Sequence, residues 1–187
     1  PARPNGAAVL VAAGGGYRRI EVEREARPAA RWLAERGIAA FVLAYRLPRE
    51  GWQAGPMAPL QDAQRALRLI RAGTARAGID PERVGVLGFS AGGHLMGLAA
   101  ARSGLRSYAP VDAADAGSAR PAAAALIYPI VTLEPPYDRS STRVQLVALA
   151  AQIAQRAQPV QGARHDGLRH VERPRQPAHG MRTRPQI

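Results

Sequence analysis

Gly88-Phe89-Ser90-Ala91-Gly92 places a serine between two glycines at the spacing G-x-S-x-G, the pattern of a nucleophile carried on a sharp turn from a strand into a helix. Composition alone would produce such a match about once in sixteen sequences of this make-up, so the surroundings carry more weight than the letters. A serine hydroxyl that attacks a carbonyl needs a base to take its proton and N–H donors for the oxyanion that forms. One donor is the backbone N–H of Ala91, just after the serine at a helix start whose dipole favours developing negative charge. A second must come from a loop after an earlier strand. Gly14-Gly15-Gly16-Tyr17 follows the apolar run at residues 7–12, and glycines there let N–H groups face a bound carbonyl without obstruction. Ser90 is therefore the expected nucleophile, with Gly15, Gly16 and Ala91 the expected donors. The same residues also fit plainer roles. Gly14 to Gly16 fits a simple turn, or a dinucleotide loop whose third glycine is replaced by Arg19, and Ser90 fits a helix N-cap.

The base is harder to place. His94 lies one turn past Ser90 on the same helix face, where an imidazole points down the helix rather than across at the hydroxyl, so a packed or capping role is expected. Asp62 is expected on the solvated side of its helix or anchoring a neighbouring loop. The remaining imidazoles, His165, His170 and His179, and the last two acids, Asp166 and Glu172, fall in a late segment of different character. The triad acid and base stay unassigned.

The elements that must hold these residues follow from hydrophobic spacing. Residues 7–12 read as a strand buried on both faces. Residues 27–36 read as a helix, with Pro28 in its first turn and Gly37 at its stop. Residues 38–45 form a second apolar run of strand length. Leu60, Ala63, Leu67 and Ile70 recur at helical spacing and predict an amphipathic helix over 59–77, ended by Gly78-Ile79-Asp80-Pro81. Val84 to Phe89 is a third strand, 91–102 the helix after it, and 122–130 a fourth strand. Strands alternating with helices of this length imply an α/β fold, a mostly parallel sheet with helices on both faces.

Composition narrows the chemistry further. The chain has 187 residues, 47% of them hydrophobic, enough to bury the core of one domain. It has no Cys, which removes disulfides, thiolate nucleophiles and Cys-based metal sites. All 26 basic residues are Arg, so a P-loop lysine, a Schiff-base lysine and a Ser-Lys dyad are excluded. No run of eighteen apolar residues suggests a membrane span. The first residues, Pro1-Ala2-Arg3-Pro4-Asn5, read like the start of a piece of a longer chain, so compartment and oligomeric state are open. A formal net charge of +12 invites nucleic acid as partner, but Arg in residues 139–187 supplies most of the excess and no aromatic-interleaved basic stripe accompanies it. Residues 139–187 also hold 7 of the 10 Gln, and only Val144 to Ile153 shows an apolar face. The expected division is a core at 1–138 and an Arg/Gln/Pro-rich, poorly ordered tail at 139–187.

Several segments in order resemble the esterase and lipase branch of the α/β-hydrolases, the acetylesterase and acetylxylan-esterase-like group. They are Gly14-Gly15-Gly16-Tyr17, Tyr45-Arg46-Leu47-Pro48, Asp62-Ala63-Gln64-Arg65-Ala66, Asp80-Pro81-Glu82-Arg83 and Gly88-Phe89-Ser90-Ala91-Gly92-Gly93-His94-Leu95. The resemblance runs from about residue 7 to residue 138 and implies a partial α/β-hydrolase fold. It also implies hydrolysis of carboxylic esters, small acyl esters on a sugar among them, with an acyl-enzyme on Ser90 and with no metal and no cofactor. Ala13 stands where many relatives have His before the glycines. The family continues with two strands whose loops supply an Asp and then a His, and residues 139–187 resemble neither. That segment reads as a divergent or frame-shifted tail, and the alternative function is an inactive fragment or interaction module.

Overall fold

The computed structural model describes residues 1, 3–73, 78–136 and 138–147. Four parallel strands, β1 (Ala8–Ala12), β2 (Ala39–Val42), β3 (Val84–Phe89) and β4 (Ala124–Ile127), lie in the order β2-β1-β3-β4. Ala8 aligns with Ala39 on one side and with Val84 on the other. Helix α1 (Arg27–Glu35), entered through a π-helical turn at Val22–Ala26, links β1 to β2. Helix α2 (Ala58–Ala72) precedes β3, and α3 (Ser90–Ala101) follows it directly.

The period-2 geometry of β1 sorts its side chains to two cores. Ala8, Leu10 and Ala12 pack with Leu60, Leu67 and Ile70 of α2 and with Leu95 and Met96 of α3. Val11 and Ala13 pack on the other face with Leu33 of α1, joined by Val9 and Leu87. The centre of the sheet is thus covered on both sides, as parallel crossovers require. Gln64 is fully buried in α2 yet satisfied: its amide donates to the carbonyls of Arg102 and Leu105, and its Oε1 accepts from Ser107.

Element ends differ from expectation by a few residues. β2 is Ala39–Val42 rather than reaching Tyr45; the Leu43 N–H still donates to the Val11 carbonyl at 2.9 Å, and the Tyr45 hydroxyl donates to the Ala13 carbonyl at 2.9 Å. β4 is limited to Ala124–Ile127, and all four residues are exposed on this edge rather than buried. α2 is helical to Ala72, and 74–77 lie outside the described residues. Residues 141–147 are helical and overlap the apolar face at Val144 to Ile153, of which 148–153 lie outside the described residues. The remainder of the expected tail, with His165, His170, His179, Asp166 and Glu172, lies outside the described residues. No described helix is long and apolar enough to cross a membrane.

Candidate active site

The strand order reverses between β1 and β3. From β1 the chain steps outward to β2 by way of α1, then returns past β1 to β3 and β4 by way of α2 and α3. In doubly wound sheets, ligands bind outside the carboxyl ends of the strands at this switch point. The Gly14 loop leaves the end of β1, and Ser90 leaves the end of β3.

Ser90 is the first residue of α3, one position earlier than the expected start at Ala91. Its φ is +49°, a left-handed conformation that costs a non-glycine residue about 1–2 kcal/mol. A turn this tight exists only because its neighbours lack side chains. A Cβ on Gly88 would meet the Gly92 carbonyl oxygen at 2.3 Å, and one on Gly92 would meet the Ala12 carbonyl oxygen at 2.3 Å. The two glycines of the motif therefore let β3 fold straight into α3 and let α3 press against the end of β1. The N-cap reading of Ser90 fails, since Phe89 occupies that position and no side-chain cap bond forms.

The Gly14 loop lies against this turn. A Cβ on Gly14 would sit 2.8 Å from the Ser90 Cβ and 2.9 Å from the Phe89 carbonyl oxygen. The Gly14 N–H donates to Glu25 Oε2 at 2.6 Å, so it is already engaged. Among the described residues the N–H groups of Gly15, Gly16 and Ala91 have no acceptor. Gly15 and Gly16 have φ of +120° and +63°, and Ser141 Oγ packs against Gly16. Next in the chain, Tyr17 also takes a positive φ, +58°, with its ring buried.

The remaining partners of the site are structural. Tyr17 Oη lies 2.9 Å from His94 Nδ1, so His94 is engaged with the loop rather than aimed at Ser90. Burial lowers the His94 pKa below the ordinary imidazole value. Burial, with the neighbouring Tyr45 adding to it, raises Tyr17 well above the usual phenol value. Asp62 anchors a loop: it accepts the Arg46 backbone N–H at 2.8 Å and a guanidinium N–H at 2.7 Å. Glu25 and Tyr128 join the site although neither belongs to a sequence motif. Glu25 holds Gly14 from one side and receives the Tyr128 hydroxyl, 3.1 Å away, at the end of β4. Tyr128 has a φ of +38° and its ring lies 6.0 Å from that of Phe89. An acid eleven residues past a glycine loop carries no local signal that would have singled it out.

An open-sided cavity of about 570 Å³ is lined by Pro129, Ile130, Val131, Thr132, Pro136, Arg139 and Ser140. Pro129 lies 3.0 Å from where a Cβ of Gly93 would stand, which puts this cavity beside α3. No described group of three or more His, Asp and Glu side chains could hold a metal ion.

A parallel α/β sheet with a serine on a strained strand-to-helix turn at its switch point is the architecture of an α/β-hydrolase. The chain belongs to the BD-FAE family, whose model matches residues 2–143. An acetylxylan esterase of Xylanibacter ruminicola is 33% identical over 134 residues, 72% of this chain and 25% of that protein. The crystal structure of an acetyl ester-xyloside bifunctional hydrolase from Caldicellulosiruptor lactoaceticus superposes with a TM-score of 0.65 at 36% identity, covering 78% of this chain and 51% of that one. Propionate-bound esterase 2 of Thermogutta terrifontis gives a TM-score of 0.62 at 27% identity, covering 79% and 52%. The chain thus spans about half the length of these solved structures and a quarter of the acetylxylan esterase.

Proposed function

We propose that this protein is a serine hydrolase of carboxylic esters, small acyl esters such as acetyl groups on carbohydrate, working through an acyl-enzyme on Ser90. The observation that carries the reading is the left-handed Ser90, φ +49°, pressed against the Gly14 loop at the switch point of the sheet. Ser90 Oγ attacks the ester carbonyl, its proton passes to a base, and the tetrahedral oxyanion is held by the N–H groups of Ala91, Gly15 and Gly16. Glu25 supports that assignment by occupying the Gly14 N–H, which leaves the next two glycines to donate. The alcohol then leaves with a proton, and water releases the acid from Ser90. The family and its esterase relatives support ester hydrolysis as the chemistry. The cavity beside Pro129 offers apolar wall for an acyl or alcohol group.

A second reading, a hydrolase half without its own base, is favoured by one observation. The one imidazole among the described residues, His94, is taken up by Tyr17. Two measurements on the full chain separate the readings. Turnover of p-nitrophenyl acetate and of O-acetylated xylo-oligosaccharide, with a fluorophosphonate adduct on Ser90 that Ser90→Ala abolishes, is the result expected for the hydrolase. A folded chain whose Ser90 stays unlabelled and that turns over neither ester sinks that reading and leaves the second.

A further inference from the structure

The loop that carries Gly15 and Gly16 is fastened at both ends. Before it, Glu25 receives the Gly14 N–H. After it, the Tyr17 ring is buried, edge-on to Tyr45 at 5.9 Å and to His94 at 5.8 Å, with its hydroxyl 2.9 Å from His94 Nδ1. His94 stands four residues beyond Ser90 on α3, so the two share a helix face one turn apart. The outer fastening thus connects the glycine loop to the same rigid helix that presents the serine. We propose that Tyr17 and His94 form a buried strut that sets the position of the Gly15 and Gly16 N–H groups relative to Ser90, which makes His94 and Tyr17 positioning residues for oxyanion binding. The inference rests on the hydrolase reading above.

The direction of the bond follows from its surroundings. A buried phenol proton without an acceptor is costly, and His94 Nδ1 is the partner within reach of Tyr17 Oη. Tyr17 therefore donates, Nδ1 accepts, and His94 is neutral with its proton on Nε2. Burial acts the same way on both groups, keeping the phenol protonated and the imidazole uncharged. A packing histidine would need no particular ring nitrogen. This one is held to a single tautomer by a tyrosine that itself adopts a left-handed backbone, φ +58°, to reach it. Tyr45 braces the same ring and donates its own hydroxyl to the Ala13 carbonyl, immediately before the glycines.

The test uses the full chain with Tyr17→Phe, His94→Leu, His94→Asn and the double variant Tyr17→Phe/His94→Leu. Tyr17→Phe keeps the ring and removes only the donor, so it reads the strut even where His94→Leu folds poorly. A loop freed to drift by a few tenths of an ångström should lower kcat about tenfold, since a displacement of ~1 Å costs on the order of a hundredfold. KM for a small aryl acetate should stay near its wild-type value, because the donors act mainly on the transition state. Asn presents Oδ1 near the place of Nδ1, so His94→Asn should recover most of the rate lost in His94→Leu, and the double variant should fall no further than the worse single one. Amide exchange at Gly15 and Gly16 should quicken in Tyr17→Phe. Unchanged kcat in Tyr17→Phe, or His94→Asn as impaired as His94→Leu, overturns the proposal while leaving the hydrolase reading intact. A wild-type chain with no turnover and no adduct on Ser90 removes the hydrolase reading and the catalytic role with it. The strut is then judged by exchange alone, and unchanged exchange in Tyr17→Phe overturns it.

Discussion

Replacing Gly15 by alanine should separate rate from stability. At Gly15, φ is +120° and a Cβ would stand 2.3 Å from the Arg19 carbonyl oxygen and 2.9 Å from its carbon. That is roughly 1 Å short of ordinary contact, and the obstacle is backbone, which cannot swing aside as a side-chain tip can. The loop between Gly15 and Arg19 must move by about that distance, and a reacting-group misplacement of ~1 Å costs on the order of 10²-fold. Loss of one oxyanion donor costs about 10² to 10³-fold, so kcat for p-nitrophenyl acetate should fall about 10²-fold with KM little changed. The unfavourable φ should also cost stability, about 1–3 kcal/mol. Gly51→Ala is the matched control: its φ is +81° and nothing lies within 4 Å of the added Cβ. It should lose a comparable amount of stability, about 1–2 kcal/mol, and no rate. The assay is initial rate against substrate concentration, beside thermal unfolding followed by circular dichroism. A folded Gly15→Ala with wild-type kcat would refute the reasoning and remove this loop from the chemistry. Equal rate losses in both variants would refute it too, by showing that rate merely follows stability.

Three further outcomes follow from the same geometry. Both Ser90→Ala and Ser90→Gly should abolish turnover, but glycine relieves the φ of +49°, so Ser90→Gly should be the more stable of the two by about 1 kcal/mol in denaturant unfolding. Equal midpoints would contradict a strained turn. Asp62→Ala leaves the Arg46 backbone and guanidinium N–H groups without their carboxylate, and should lower stability by about 1.5–3 kcal/mol by the same measurement. An unchanged midpoint would show that this pair is not an anchor. Because burial lowers the folded pKa of His94, the unfolded chain holds more protons there. The stability that neutral His94 contributes is therefore complete above the unfolded value, about 6.5, and declines as pH falls below it toward the depressed folded value. The difference in unfolding free energy between wild type and His94→Asn should show that slope between neutral pH and pH 5, and a flat difference would place His94 in solvent.

Much of the fold was legible because its signals are local. The apolar run at residues 7–12, the helical recurrence of Leu60, Ala63, Leu67 and Ile70, and the strand at Val84–Phe89 each announce an element through spacing, and the structure places β1, α2 and β3 there. The alternation of those elements was sufficient for a parallel sheet covered on both faces. Ser90 and the glycine loop were legible for the same reason. G-x-S-x-G at a strand end and three glycines after another strand are short-range patterns, and a Cβ on Gly14, Gly15, Gly88 or Gly92 would meet backbone.

Tertiary structure decided everything that joins one element to another. No local rule tells that the Gly14 N–H meets Glu25, that Tyr17 reaches across 77 residues to His94, or that Tyr128 closes on Glu25 from β4. Those contacts arise where separate strands end together at the switch point of the sheet, and sequence spacing holds no record of which ends will meet. His94 shows the difference most plainly. Its place one turn beyond Ser90 followed from helix periodicity alone, whereas its partner is a buried tyrosine on another loop and its lowered pKa comes from the loss of water around its ring.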